Sequence, residues 1–190
     1  MLPPQRIAAD IAAIRKLTVA PFNVNLFVLD PPNVDADTLH EAIERLQPIR
    51  NELGLPAAEA PVKFCESFPD QLEAVLEERP PVVSFTFGIV DGAVVDRLHQ
   101  VGIRVIGTAT HVAEARAWES VGADAVCVQG AEAGGHRGTF LGRSEDAMIG
   151  TLALVPQVTD AIRIPIIAAG GIMDGRGVAA VLILGAAGAQ

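Results

Sequence analysis

Apolar residues recur along this chain in two rhythms. From Gln5 to Leu17, Ile7, Ile11, Ile14 and Leu17 fall at helical spacing, while Arg6, Asp10, Arg15 and Lys16 take the other faces. Pro21 ends that segment, and the run FNVNLFVL, Phe22–Leu29, reads as a strand. A Pro-rich stretch follows, about 31–61, too long for an ordinary strand-to-helix loop. It contains one amphipathic helix with Leu39, Ile43 and Leu46 as its stripe. From Gln71 the alternation is regular. A helix over LEAVLEE leads to the strand Val82–Phe87, and a helix near Ala93–Gln100 leads to Arg104–Ala109. A helix from His111 to Val121 leads to Ala125–Gln129. The Gly-rich loop Gly130–Gly142 then precedes a helix ending near Ile162. The strand Pro165–Ala169, a glycine turn, a helix near Val178–Leu184 and the run Ala186–Gln190 close the chain.

Strands separated by single helices predict right-handed βαβ units and a parallel sheet. The short Val, Ile, Ala and Leu runs suit strands buried on both faces. Two architectures share this pattern, the doubly wound open sheet and the (β/α)8 barrel. About six strands are visible, and a full barrel takes roughly 250 residues, so length alone favours the open sheet. The loop chemistry described next favours an α/β TIM (β/α)8 barrel, incomplete at both ends. The expected organisation is one domain over 1–190, with the Pro-rich helical segment at about 31–61 inserted either as surface decoration or as a lid.

Composition narrows the function classes. The formal net charge is −9 with no Lys/Arg cluster, which argues against nucleic-acid partners. No uninterrupted run reaches the ~18–20 apolar residues of a membrane helix, so no membrane association is expected. Met1-Leu2-Pro3-Pro4 carries no basic region or apolar core of a secretory signal, and a cytoplasmic location is expected. Cys65 and Cys127 fit no zinc or redox spacing. Cys127 reads as a buried free thiol. His40, His99 and His111 fall in helices or at a helix start and read as surface residues, and Glu66, Asp70 and Glu73 form no metal cluster.

Candidate chemistry concentrates in two glycine-rich segments at strand ends. The first, Gln129 to Phe140, follows the C-terminal end of a strand, where a barrel builds its active site. Gly134 and Gly135 let backbone approach a flat ligand, Gln129 offers an amide, and His136 can exchange a proton near neutral pH. The plainer alternative is a glycine turn carrying a surface histidine. The second, Ile166 to Gly177, puts small residues and Gly170-Gly171 before a helix start, an arrangement that holds phosphate through backbone N–H groups. Tight strand–helix packing would explain one of its glycines. Gly175 to Ala180 also matches G-x-G-x-x-A, but several residues after the strand rather than directly at it, so the dinucleotide match is read as accidental. Asn23 and Asn25 interrupt an apolar strand and need partners, either a ligand or a neighbouring strand tip. Asn25 is placed facing the barrel mouth. Ser84, Thr86, Thr108 and Thr110 also lie at strand ends.

FNVNLF, VVSFTFG, the loop from Gln129 to Phe140 with its E-A-G-G-H-R-G-T-F, and Ala168 to Gly175 together resemble the FMN-dependent nitronate monooxygenases, also called 2-nitropropane dioxygenases. The likeness runs over nearly the whole chain. It implies a TIM barrel with FMN at the strand C-termini. It implies contacts to FMN from Asn25, Gln129, Gly134 and Gly171, a share of the phosphate for Gly170, and His136 as the catalytic base. Gln190 falls where the family's phosphate site continues. The family begins with a further strand and a glycine loop beneath the flavin, so the chain is expected to lack strands at both ends. The implied activity is oxidation of alkyl nitronates, and of neutral nitroalkanes, by O2 to a carbonyl compound and nitrite. Propionate 3-nitronate is one substrate the family suggests. The partners implied are a small-molecule nitronate and O2, with no metal; a homodimer is left open. The alternatives are a flavin-dependent enoyl-acyl-carrier-protein reductase, which shares the glycine–histidine loop, and a truncated non-catalytic remnant.

Overall fold

The computed structural model describes residues 2–190. Six parallel strands form one sheet in the order β1-β2-β3-β4-β5-β6: Asn23–Phe27, Val82–Thr86, Arg104–Ala109, Ala125–Gln129, Ile166–Ala169 and Gly188–Ala189. The helices are α1 (Pro4–Leu17), α2 (Ala36–Glu52), α3 (Phe68–Glu78), α4 (Gly92–Gln100), α5 (Val112–Ser120), α6 (Thr151–Ala161) and α7 (Gly175–Ile183). A doubly wound sheet reverses its strand order at a switch point. Here each strand pairs with its sequence neighbours without reversal, the order of a barrel wall.

The two faces of that wall differ. Outward positions Leu26, Val83, Phe85, Val105, Val126, Val128 and Ile166 are buried with helix residues Leu72, Val75, Val95, Leu98, Trp118, Leu154 and Val158. Inward positions are mixed: Asn23, Asn25, Ser84, Thr86, Ile106, Thr108, Cys127, Gln129, Ile167, Ala169 and Gln190 line one cavity. The expectation of strands apolar on both faces therefore holds only for the outer one. The difference follows from the period-2 alternation of a strand, which sends every second residue to the inside.

The tightest outer contact joins α5 to β3. Trp118 is fully buried, stacks on Phe85 with ring centroids 6.0 Å apart, and donates from Nε1 to the Thr108 carbonyl at 3.1 Å. It fits only because residue 107 is glycine: a Cβ there would lie 2.1 Å from the indole. The Pro-rich segment behaves differently. Asp35 caps α2 by accepting from Thr38 N at 2.9 Å, yet no residue of α2 is buried. Its stripe of Leu39, Ile43 and Leu46 does not join the core. The helix forms from local capping and propensity and stands off the sheet.

Replacing Gly107 with Ala forces the indole from its slot. The expected cost is about 3 kcal/mol or more, read as a lowered urea midpoint. An unchanged midpoint would contradict the packing described.

Candidate functional site

Because the strands are parallel and in register, their C-terminal ends share one rim, and the loops beyond β4 and β5 meet there. Gln129 ends β4 and pairs with Ala169, which ends β5. Gly130 N–H donates to the Ala169 carbonyl at 2.9 Å. Gly130 must be glycine, since a Cβ would lie 1.9 Å from Thr151 Oγ1. Gly170, with φ +116, brings its backbone equally close to the first loop, where a Cβ would lie 2.8 Å from Ala133 N. Thr151 at the start of α6 joins the two loops. Its hydroxyl sits 2.8 Å from the Gly170 carbonyl and 3.0 Å from Glu132 Oε2, and its N–H donates to Glu132 at 2.8 Å.

The cavity beneath this rim has a volume of about 280 Å³. Three of the residues that the family resemblance places at the flavin or its phosphate, Asn25, Gln129 and Gln190, line it. Asn23 Nδ2 donates to Ser84 Oγ at 2.7 Å, so the Ser84 proton is directed to Asn25 Oδ1 at 2.8 Å. Thr86 Oγ1 lies 3.2 Å from the same oxygen and 3.1 Å from Thr108 Oγ1. This chain of hydroxyls consumes the acceptor end of Asn25 and leaves its Nδ2 protons toward the cavity. Gln190 Oε1 lies 3.7 Å from the Cys127 thiol. Burial pushes that thiol up to about 11, so it stays protonated at neutral pH.

Gln129 is used differently from the expectation of an amide held out to a ligand. Its Nε2 donates to the His136 carbonyl at 2.9 Å and its Oε1 accepts from Gly138 N at 2.8 Å. The amide thus grips the loop on either side of Arg137, leaving one N–H and one lone pair. Arg137 turns inward and donates to the carbonyls of Gln129, at 2.5 Å, and Ala147. Burial pushes the guanidinium below its ordinary value, partly offset by the nearby Glu114 and Glu132 carboxylates. His136 is exposed on the loop crest, its ring edge-on to Phe87 at 5.6 Å and 6.3 Å from Phe27.

The far end of the loop is tied down by Glu114, which the sequence reading passed over. Its side chain is fully buried and accepts from Thr110 N at 2.6 Å, Thr110 Oγ1 at 2.7 Å, Phe140 N at 2.5 Å and Leu141 N at 2.9 Å. A signal existed in the place of Glu114, the third helical residue after the N-cap His111, where a glutamate commonly reaches back to backbone N–H groups at the helix start. His111, expected at the surface, is half-buried and bonded through Nε2 to the Leu141 carbonyl at 2.9 Å. It is held there because the loop folds back over α5.

The expected phosphate cradle also needs correction. The first N–H groups of α7 are not free: Asp174 accepts from Arg176 N at 2.9 Å and Gly177 N at 3.3 Å. The Arg176 side chain, with these N–H groups, holds the Asp174 carboxyl below its ordinary value. The free donors lie earlier, at Gly171 and Ile172, whose N–H groups donate to no acceptor among the described residues. Gly134 is explained by neither strain nor packing: its φ is ordinary and a Cβ would meet nothing within 4 Å. Gly135 needs glycine for its φ of +82. Gly175 and Gly177 lie inside α7, which bears out the dismissal of the dinucleotide match.

A parallel wall of βα units with consecutive strands side by side defines an α/β fold of the TIM-barrel kind. The chain belongs to the nitronate monooxygenase family, whose model matches residues 1–190. It is 42% identical over 187 residues to a probable nitronate monooxygenase of Staphylococcus aureus strain JH9, covering 98% of this chain and 53% of that protein. Among solved structures it is similar to the nitroalkane oxidase from Streptomyces ansochromogenes, with a TM-score of 0.87 and 39% identity over 99% of this chain and 54% of that one. It is also similar to FabK from Thermotoga maritima, with a TM-score of 0.70 and 30% identity over all of this chain and 46% of that one. The chain spans about half the length of the relatives it matches.

The Glu132 carboxyl is held below its ordinary value of 4.5, first by its own backbone N–H and then by that of Thr151. A depressed folded value stabilises above 4.5 and is lost as pH falls through the lower folded value. The difference in melting temperature between the wild type and Glu132→Ala should therefore hold from neutral pH down to about 5 and shrink below that. A difference that persists undiminished into strong acid would contradict the tether.

Proposed function

We propose that this chain forms the FMN-binding and proton-transfer part of an enzyme that oxidises alkyl nitronates with O2, yielding a carbonyl compound and nitrite. The observation that carries the reading is the placement of His136. It is exposed on a loop gripped by Gln129, itself a wall of the inner cavity, while the neighbouring loop holds the Gly171 and Ile172 N–H groups, which have no acceptor among the described residues. The family relatives bear the name of that activity.

The residues present fit FMN. Gly134 leaves room for a flat ring, Asn25 Nδ2 and the remaining Gln129 N–H can donate to ring carbonyls, and the Gly171 and Ile172 N–H groups suit a phosphate. Gly170 allows the loops to meet beside that phosphate, and Gln190 borders the same cavity. FMN, when bound, supplies the electron acceptor for the nitronate and the partner for O2.

The protein's own part is proton transfer and placement. An imidazole is a side chain that can accept the α-proton of a neutral nitroalkane at neutral pH. The Gln129 grip fixes the loop carbonyl and N–H on either side of Arg137, so the imidazole starts from a set backbone position. A nitronate has already lost its α-proton and needs His136 only as a hydrogen-bond donor.

His136→Asn, in the protein at its full encoded length, should lower activity on nitroethane by about 10²–10⁴-fold and spare most of the activity on its preformed nitronate. Steady-state assays with both substrates check this. Equal losses on the two would contradict proton removal by His136.

A further inference from the structure

Strand alternation has one exception at the rim. In β2, Ser84 and Thr86 face the cavity while Val83 and Phe85 face the helices. By the same period Phe87 belongs on the helix side. Instead its backbone adopts φ +71, a positive value that among the described non-glycine residues only Arg79 shares. That turn swings the ring over the strand end to the inner rim. There it meets Phe27 edge-on, with centroids 4.8 Å apart, and the His136 ring at 5.6 Å. Phe27, in phase with Asn23 and Asn25, faces the rim directly.

A left-handed conformation is costly for a bulky side chain and persists where the surroundings impose it. The surroundings here are specific. Val28 N donates to the Thr86 carbonyl at 2.9 Å, and Gly88 packs so closely that a Cβ would lie 2.8 Å from Val28 Cβ. The chain is held on both sides of Phe87, and the strain delivers an aromatic ring to the histidine. Both phenylalanines remain only half-buried, so the rings present apolar surface at the mouth of the site. The cation nearest in sequence, Arg137, is turned away and spent on the backbone carbonyls of Gln129, Thr110 and Ala147.

We infer that Phe87 and Phe27 form an apolar wall beside His136 that binds the alkyl chain of the substrate, making Phe87 a specificity-determining residue for unbranched, uncharged chains. This rests on the proposed nitronate chemistry for the polar head of the substrate. The strained backbone is the device that puts the ring there, and the edge contact with His136 places the chain next to the proton-transfer group.

The test compares Phe87→Ala, Phe87→Gly and Phe87→Leu with the wild type, all at full encoded length. Substrates are the preformed nitronates of nitroethane and 1-nitrohexane. Each methylene packed on the wall is worth about fourfold in binding, so the wild type should favour the hexyl chain in kcat/KM by roughly tenfold or more. Phe87→Ala and Phe87→Gly should bring that ratio close to one, and Phe87→Leu should keep much of it. Glycine takes positive φ without strain, so Phe87→Gly should melt no lower than Phe87→Ala, separating the lost wall from lost folding. A ratio unchanged in both small variants overturns the inference, as does equal use of both chains by the wild type. A change in flavin affinity with the ratio intact assigns the wall to the cofactor and also overturns it. Calorimetry with acetate and hexanoate, planar anions like nitronates, separates this inference from the reaction. If no nitronate is oxidised but hexanoate binds more tightly through Phe87, the apolar subsite stands and the nitronate reading falls. Binding indifferent to chain length rejects the subsite.

Discussion

The carboxylate of Glu114 is cut off from solvent, and everything at the rim of this fold depends on how it is satisfied. A buried carboxylate is tolerated only when its lone pairs are used. Four donors meet that demand, two from Thr110 at the end of β3 and two from the backbone of Phe140 and Leu141. One end of the long loop after β4 is thereby fixed to the neighbouring strand–helix unit. The other end is fixed by Gln129, which grips His136 and Gly138 from the strand tip. Within the Gln129 grip lies Arg137, half-buried and drawn toward the Glu114 and Glu132 carboxylates. The histidine is exposed because the residues around it are not free to bury it.

The sheet supplies the frame for this arrangement. Parallel register brings the ends of β1 to β5 to one rim, and alternation divides outward apolar from inward polar residues. The outer face carries the core, with Trp118 seated on Gly107. The inner face is left for amides and hydroxyls, which orient one another and end in the Asn25 amide. Stability and chemistry are thus assigned to opposite faces of the same strands. Phe87, just past the end of β2, breaks that division at the cost of a left-handed backbone.

Much of this was legible in the sequence. Arg104–Ala109 and Ala125–Gln129 were read to the residue, because apolar runs bounded by glycine and helix starts leave little choice. The two glycine loops and their places at strand ends were also legible, though not their contact through Thr151. What escaped notice depended on long-range partners. Glu114 looks like an ordinary first-turn acid until the loop closes on it 26 residues later. The amide of Gln129 reads as a ligand donor, but the loop it serves folds back within nine residues. Asp174 drew no notice in the sequence, yet its side chain takes the N–H groups at the helix start where phosphate was expected. Phe87 continues an apolar strand by period, and only the backbone angle reveals that its ring crosses to the other face.

The central claim is that Glu114 holds the histidine loop in place, and amide hydrogen exchange tests it most directly. In Glu114→Gln one amide oxygen replaces two acceptor oxygens, and its NH2 faces N–H donors at the other end. Hydrogen bonds to a charged group contribute about 1.5–3 kcal/mol, so exchange at Phe140 and Leu141, or at Thr110 if the amide turns the other way, should accelerate about 10–100-fold. Amides in β3 and β4 should keep their protection. Unchanged exchange at all three positions would contradict the account, because the loop would then be held by something other than the buried carboxylate.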